Sequence, residues 1–323
     1  MLGTRRAAPS SRRGALASSQ ARHSLRKAAS SGVSDGSILL AEVNIGLVKT
    51  DFETILLDID GGVATVTLNR PEMKNAMNLR MEQDLHEAMW GLEADPDVRA
   101  IVVTGAGDAF CSGFDISDPA AFGADMHKQH DEELGTDSDS VSDRVAYWRM
   151  TTPVIGAING AAVGAGLTVP MLYDVRYAAE DAKLSFRFTR LGILPDAASH
   201  WLLPRMIGIP RAMELLMSGR TFTGAEAAEL GLVSRAVPKA EVLGVAQEFA
   251  HDIATNCAPA SVALVKRLVN RFLAEPDIAS AMAVETKLVW WSGEQPDAME
   301  GVMAWMQRRP PEWKLSKHDA PDD

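Results

Sequence analysis

Residues 153–174 read PVIGAINGAAVGAGLTVPMLYD, and this stretch decides how the rest of the chain is interpreted. Its first part, Val154–Ile158, is an apolar, partly β-branched run bounded by a proline and an Asn-Gly pair, which is typical of a buried strand. Three glycines follow at Gly160, Gly164 and Gly166, and then a helix-like apolar segment at 167–172. The predicted order is strand, glycine-rich turn and helix. Glycines in such a turn let the backbone approach a ligand and present its N–H groups.

The order of these glycines, G-x-x-x-G-x-G, differs from the dinucleotide fingerprint G-x-G-x-x-G, and no P-loop lysine follows them. On spacing alone, the favoured interpretation is a small-residue helix that packs against a sheet. Whether the turn also binds a ligand depends on the other motifs of the chain.

Composition excludes several classes of protein. The chain has 323 residues, 46% of them hydrophobic, which is enough for a large core in one large domain or two small ones. A net charge of −11 argues against a nucleic-acid partner held by its phosphates. No apolar run reaches the ~18 residues that span a membrane. Two cysteines, Cys111 and Cys257, form neither a disulfide framework nor a metal-binding set, which favours a reducing compartment.

Residues 1–40 differ from the rest because they are rich in Arg and Ser and contain a single acid, Asp35. We expect a disordered basic leader, which is either a transit peptide or a start placed too far upstream. The corresponding locations are the mitochondrial matrix and the cytoplasm. The predicted organisation is this leader, a core at 41–250 and a C-terminal helical region at 251–323.

A second glycine-punctuated turn, AFCSGFDI at 109–116, follows a buried strand predicted at Ala100–Thr104. It comes after a hairpin and a helix for which Asn78 is the expected N-cap. If the strands before the two turns are parallel neighbours, both turns lie at one end of the sheet, where α/β proteins bind ligands.

Two further segments carry candidate functional residues. The acidic insertion 125–143 contains His127 and His130, but no carboxylate spacing around them matches a metal motif, so we expect a solvated loop and no metal site. Pro195 and Asp196 are predicted in the first turn of a helix, with the carboxylate near the positive end of its dipole.

From about Phe52 to Trp313, the chain resembles the enoyl-CoA hydratase/isomerase (crotonase) family. The resemblance is carried by the central stretch, by AFCSGFDI, and by NRPEMKNAM at 69–77, LGILPD at 191–196, SGRTFTGAEAAELGLV at 218–233 and EGVMAWMQRRPP at 300–311. It implies an α/β fold, a spiral of ββα units with a C-terminal helical trimerisation region. It also implies an acyl-CoA substrate, a homotrimer or dimer of trimers, and no cofactor beyond the CoA of the substrate.

The resemblance assigns roles to both turns. The backbone N–H groups of Phe114 and Ala165 are expected to bind the thioester carbonyl, and CoA is expected to lie along Lys74, Ala76, Asp115 and Ile116. Removal of an α-proton from a thioester gives an enolate, and each fixed donor to its oxygen contributes on the order of 3 kcal/mol.

The chain departs from the hydratase pattern at the two positions where that pattern has glutamates. They are Thr168 and Phe188 here, so water addition lacks its pair of acid and base. The chain offers Asp196 instead, and this part is most similar to the ring-1,2-epoxyphenylacetyl-CoA isomerase group. We therefore expect a double-bond shift from 3-enoyl-CoA to 2-enoyl-CoA with Asp196 as acid and base. Thr168, Phe188 and Trp148 are expected to line the substrate pocket.

Three alternatives stay open on the sequence. The first is a hydratase or hydrolase of the same family with a non-standard site. The second is a dehalogenase, in which an aspartate at this position acts as nucleophile; it needs a histidine before the central strand, where 139–143 read DSVSD. The third is a CoA-binding paralogue that has lost catalysis.

Overall fold

The computed structural model describes residues 49–117 and 146–322. The predicted leader and the 125–143 insertion with its two histidines lie outside the described residues. None of the helices within the two described ranges is long and apolar enough to cross a membrane.

Within the part of the chain that the structure describes, ten strands form two sheets. In chain order they are β1 (Ile55–Asp60), β2 (Val63–Leu68), β3 (Ala100–Gly105), β4 (Ala109–Cys111), β5 (Val154–Ile158), β6 (Ala161–Val163), β7 (Val175–Ala179), β8 (Lys183–Ser185), β9 (Thr221–Thr223) and β10 (Arg235–Val237). The larger sheet has the order β1-β2-β3-β5-β7-β10 and is parallel except for the β1–β2 hairpin. The smaller sheet has the order β4-β6-β8-β9 and is parallel except for β8–β9.

The α-helices of the described ranges are α1 (Leu79–Ala94), α2 (Ala165–Thr168), α3 (Ser199–Ile207), α4 (Ile209–Ser218), α5 (Gly224–Leu230), α6 (Val242–Asn256), α7 (Pro259–Phe272), α8 (Ile278–Gly293) and α9 (Pro296–Gln307). The predicted N-cap of α1 is confirmed, because the Asn78 side chain accepts a hydrogen bond from the Met81 N–H at 3.0 Å.

The core lies on both sides of the two central strands. Every residue of β3 and β5 is buried, as expected for parallel strands with continuous apolar runs. Helix α6 packs across β3, β5 and β7, and α1 contributes buried Met81, Leu85 and Met89 to the same core. The expected boundary between the core (41–250) and the C-terminal region (251–323) therefore falls inside helix α6, which belongs to the core layer.

The prediction of a helix at 167–172 is wrong in part. The glycine-rich stretch first forms the short strand β6, then the single turn α2, and continues as a 3₁₀ helix at Val169–Leu172. Pro170 gives the reason, because it has no N–H to donate to the carbonyl four residues earlier and so interrupts an α-helix.

The end of the chain returns to the core. Four helices, α6 to α9, occupy most of residues 242–307. Beyond them the Lys317 ammonium is buried and donates to the carbonyl oxygens of Leu92 (3.0 Å) and Val98 (2.9 Å) and to the Thr152 hydroxyl (2.6 Å). This single side chain ties the C-terminal segment to α1 and to the entry of β5.

Candidate active site

The two glycine-punctuated turns pack backbone against backbone. A Cβ at Gly113 would lie 2.7 Å from the Val163 carbonyl oxygen, and a Cβ at Gly166 would lie 2.2 Å from that of Cys111. Both distances are shorter than any van der Waals contact, so only glycine allows this approach. Since β3 and β5 are parallel neighbours, the prediction that the two turns meet at one end of the sheet is confirmed.

This approach leaves two backbone N–H groups unused. Phe114 forms a bridge to Met77, in which the Met77 N–H donates to the Gly113 oxygen and the Asp115 N–H donates to the Met77 oxygen, both at 2.8 Å. The Phe114 N–H therefore points away from Met77. Ala165 is the first residue of α2, where an N–H has no acceptor within the helix. Neither group donates to a backbone acceptor in the described part of the chain.

A carboxylate lies beside these groups. The Thr168 hydroxyl donates a hydrogen bond to Oδ1 of Asp196. Thr168 is fully buried and is the last residue of α2, three residues after Ala165. One turn of helix thus carries both a free amide and the hydroxyl that holds the carboxylate.

The environment of Asp196 raises its proton affinity. Burial raises the pKa of the Asp196 carboxyl above its ordinary value, the Thr168 hydrogen bond partly opposes this, and the negative charge of Glu82 raises the pKa further. A carboxylate with a raised pKa is a stronger base than a solvated one, and it keeps a captured proton longer.

The expectation that Asp196 lies in the first turn of a helix is wrong. Helix α3 begins at Ser199, and Asp196 belongs to the turn before it, where its carbonyl accepts from the Ser199 N–H at 2.9 Å. Ala197 and Ala198 both adopt left-handed backbone angles, with φ of 48° and 54°. Helical geometry cannot extend back through them, and such angles are strained for residues other than glycine.

An apolar wall faces the glycine turn. Phe188 is 4% exposed, and its ring lies 3.8 Å from where a Cβ on Gly164 would be. Trp148, the third expected pocket residue, is half-buried and packs on the core. The Arg149 guanidinium lies over the Trp148 ring, 5.8 Å from its centroid.

The expected CoA-binding segments run side by side. The Ser112 N–H donates to the Lys74 carbonyl at 3.0 Å, next to the bridge that fixes Phe114. Lys74 is exposed and Ala76 is buried, and Ile116 is 69% exposed. The structure therefore places Lys74 and Ile116 on an open surface beside the turn.

The Asp115 side chain already has partners. Its carboxylate pairs with Arg70 at 2.9 Å and accepts from the Ser117 hydroxyl at 2.6 Å, contacts that hold its pKa below the ordinary value. Its backbone N–H donates a hydrogen bond to the Met77 carbonyl oxygen. A contact with CoA at this residue would have to come from its carbonyl oxygen.

Sequence reasoning missed Glu82. It lies in the first turn of α1, and its charge acts on both Asp196 and Tyr147. A glutamate in a first helical turn is common because it suits the helix dipole, and no spacing links residue 82 to residue 196. Among the residues described, no three His, Cys, Asp or Glu side chains are grouped so as to hold a metal ion.

Comparison with known proteins gives consistent results. The family model described as enoyl-CoA hydratase/isomerase matches residues 58–316. A probable enoyl-CoA hydratase of Rhodobacter capsulatus is 36% identical over 260 residues, which cover 80% of this chain and 97% of that protein. The 1,2-epoxyphenylacetyl-CoA isomerase of Escherichia coli is 33% identical over 266 residues, which cover 81% of this chain and 98% of that protein.

Solved structures agree with these matches. A probable enoyl-CoA hydratase/isomerase of Mycobacterium abscessus superposes with a TM-score of 0.73 at 38% identity, covering 80% of this chain and 98% of that one. An enoyl-CoA hydratase of Bacillus anthracis superposes with a TM-score of 0.74 at 30% identity, covering 81% of this chain and 99% of that one.

Proposed function

Because the chain belongs to the enoyl-CoA hydratase/isomerase family and is an acyl-CoA enzyme with the crotonase fold, we propose that it shifts a double bond, converting 3-enoyl-CoA to 2-enoyl-CoA. The observation that carries this proposal is the hydrogen bond from Thr168 to Asp196 beside the two free amides. It supplies one carboxylate and an oxyanion site, which is what an allylic shift requires.

The reaction needs two proton transfers and no water. The thioester oxygen accepts hydrogen bonds from the N–H groups of Phe114 and Ala165. The Asp196 carboxylate takes a proton from C2, and the electron pair of that C–H bond moves into a dienolate whose negative charge lies on the thioester oxygen. The protonated Asp196 then gives the proton to C4, the double bond forms between C2 and C3, and the carboxylate is regenerated. CoA enters and leaves as part of the substrate, with no further cofactor.

Two neighbouring side chains favour isomerisation over hydration. A threonine hydroxyl such as that of Thr168 donates and accepts hydrogen bonds but does not exchange protons near neutral pH. Phe188 offers no polar atom and keeps its side of the site apolar, which limits the access of a competing water.

Replacement of the carboxylate tests this proposal. Asp196→Asn keeps the shape of the side chain and removes its basicity, so isomerisation should fall by at least about 100-fold while CoA thioester binding is retained. Asp181→Asn, at an exposed aspartate, is the matched control and should leave the rate unchanged. Full isomerase activity in Asp196→Asn would refute the assignment.

Hydration is the second candidate, because the negative charge of a second carboxylate, Glu82, acts on Asp196. Two carboxylates can hold and activate a water between them. The two reactions differ in whether an oxygen atom from solvent enters the product, which an isotope experiment reads directly.

We also propose that the C-terminal helices form a homotrimer or a dimer of trimers. Helices α8 and α9 carry large apolar side chains that are open to solvent in a single chain, among them Ile278 (77% exposed), Trp290 (69%) and Trp305 (81%). Exposed apolar surface of this kind marks association sites. Light scattering should give three or six times the chain mass of 34.8 kDa; a monomer would contradict the proposal.

A further inference from the structure

We propose that Asn75 is a positioning residue of the oxyanion site, whose side chain fixes the segment of backbone that carries the Phe114 amide. The proposal rests on the proposed function, in which the Phe114 N–H binds the thioester oxygen. Asn75 is fully buried, so it acts through the backbone around it and not through a contact with the substrate.

The Asn75 side chain uses its acceptor and both of its donors inside the protein. Its Oδ1 accepts from the Arg70 N–H at 2.9 Å. Its Nδ2 donates to the carbonyl oxygens of Ala106 and Ala109, both at 2.9 Å. Ala106 directly follows β3, and Ala109 is the first residue of β4. One side-chain amide therefore ties residues 70–75 to both ends of the connection between these two strands.

The backbone at this position also suits an asparagine. Asn75 has a φ of 55°, in the left-handed region, where asparagine is several times more frequent than most residues with a Cβ. Its N–H donates to the Arg70 carbonyl at 2.8 Å, so Arg70 and Asn75 are bonded to each other in both directions. These contacts close the loop 70–75 and set the direction in which the chain continues to Met77.

The residues on either side of Asn75 hold the turn that contains the Phe114 amide. The Lys74 carbonyl accepts from the Ser112 N–H at 3.0 Å, before the amide in the chain. Met77 makes the two hydrogen bonds of the bridge to Phe114, both at 2.8 Å. The turn is thus bonded to a single segment of backbone, and Asn75 lies in the middle of that segment.

The second donor of the oxyanion site is carried by different elements. Ala165 is the first residue of α2, which follows the short strand β6. A displaced segment 70–77 would therefore move the Phe114 amide relative to the Ala165 amide. Donors stabilise an oxyanion only when they lie about 2.7–3.1 Å from its oxygen, so a misplaced amide lowers the rate of the reaction.

The test measures the polarisation of the bound thioester carbonyl in the full-length protein. The probe is saturating butyryl-CoA labelled with ¹³C at C1, a thioester that has no double bond to shift. Its C=O stretching band is isolated by infrared difference against the unlabelled ligand. On the wild-type protein it should lie at lower frequency than in water, because the two amides draw negative charge onto the oxygen.

Asn75→Gly is the first variant, because glycine adopts the left-handed angle without strain while the side-chain hydrogen bonds are lost. Its band should return about half of the way to the frequency in water, since one of the two amides is displaced. Asn75→Asp is the second variant. It keeps the acceptor for the Arg70 N–H, loses at least one of the two donors and should shift the band in the same direction.

Lys317→Met is the matched control. Lys317 also donates to two buried backbone carbonyl oxygens, but it lies beside Thr152, at the opposite end of β5 from the glycine turn. Its band should equal that of the wild type although the protein is less stable. An unchanged band in Asn75→Gly, with or without a loss of stability, would overturn the proposal. If neither Asn75 variant folded, the proposal would also be overturned, because Asn75 would then serve the fold as a whole.

Kinetics separate this proposal from the proposed function. With 3-enoyl-CoA, Asn75→Gly should lower kcat by about 10- to 100-fold, because a displaced donor loses part of the effect of a complete one. The acid limb of kcat/KM should stay at the wild-type pH, since Asn75 carries no charge. If the protein hydrates 2-enoyl-CoA without isomerising 3-enoyl-CoA and the band still depends on Asn75, the proposed function fails and the role of Asn75 stands. If it isomerises and the band does not depend on Asn75, the reverse holds.

Discussion

The Thr168 hydroxyl donates a hydrogen bond to the Asp196 carboxylate across 28 residues of sequence. Thr168 ends the single helical turn that begins with the free amide of Ala165, so the contact sets the carboxylate relative to the oxyanion site. A position that holds a glutamate in the hydratase pattern here holds a threonine, whose hydroxyl donates to the proposed acid–base group.

Thr168→Val should weaken catalysis without unfolding the protein. Valine has the same shape but no donor, and a hydrogen bond to a charged group contributes about 1.5–3 kcal/mol, so kcat should fall about 10- to 100-fold. Thr168→Ser retains the hydroxyl and should stay near the wild-type rate. Since the hydrogen bond lowers the pKa of Asp196, its loss should move the acid limb of kcat/KM to higher pH. A limb that moves to lower pH would contradict this role.

The pH dependence of the wild-type enzyme follows from the burial of Asp196. The base must be ionised to take the C2 proton, and burial raises its pKa above the ordinary value of about 3.9. Activity should therefore be lost as the pH falls through a midpoint above that value. Stopped assays of kcat/KM between pH 4 and neutrality measure it, and activity that stays constant down to pH 4 would exclude Asp196 as a buried base.

Lys317 should be a large contributor to stability. Lys317→Met leaves two buried carbonyl oxygens and the Thr152 hydroxyl without their donor, so the free energy of unfolding should fall by about 2–4 kcal/mol. Lys314→Met removes an exposed ammonium nearby and should change it by less than about 0.5 kcal/mol. Urea unfolding compares the two variants, and equal stabilities would contradict the proposed tie.

The lowered pKa of Lys317 also predicts how its contribution to the free energy of unfolding changes with pH. Burial lowers the pKa of Lys317 to about 8, whereas in the unfolded chain it is about 10.4. Between these values the unfolded state binds more protons, so the Lys317 contribution to stability should rise with pH in this window. The difference in unfolding free energy between the wild type and Lys317→Met should grow from pH 8 to pH 10. If this difference in unfolding free energy became smaller over that range, the pKa of Lys317 would be raised in the folded state, contrary to the prediction.

A glycine at position 198, in the turn after Asp196, should relieve the backbone strain there. Ala198 has a φ of 54°, and the left-handed conformation costs a residue with a Cβ about 1–2 kcal/mol. The greater freedom of glycine in the unfolded chain offsets part of this, so Ala198→Gly should stabilise the protein by up to about 1 kcal/mol. Ala283→Gly, in the exposed interior of α8, should destabilise it by about 1 kcal/mol. Destabilisation by Ala198→Gly would mean that the turn is not strained.

The elements that sequence predicted well are those with a local signal. The continuous apolar runs of β3 and β5 indicated buried parallel strands, and the Asn78 cap marked the start of α1. The smaller sheet could not be predicted, because its three-residue strands are too short to show a periodicity. Two of its strands, β4 and β6, pair because the parallel neighbours β3 and β5 bring the segments that follow them together.

The residues of the candidate site also fall into two groups, those with a local signal in the sequence and those without one. The two turns and Asp196 were found from motifs, since the backbone chemistry depends on glycines and on one carboxylate. The influence of the Glu82 charge on Asp196 was missed because the two residues are 114 positions apart in the sequence. The turn at Ala197 and Ala198 was missed because alanine normally favours a helix, and tertiary packing overrides that preference here.

The most direct test of the account is to incubate the purified protein with 3-enoyl-CoA and 2-enoyl-CoA in water enriched in heavy oxygen. Products are followed by ultraviolet absorbance and mass spectrometry. We expect 3-enoyl-CoA to become 2-enoyl-CoA with no gain of heavy oxygen, because the proposed transfer of the proton by Asp196 needs no water. Heavy oxygen in a 3-hydroxyacyl-CoA product would contradict it and would show that the site activates water.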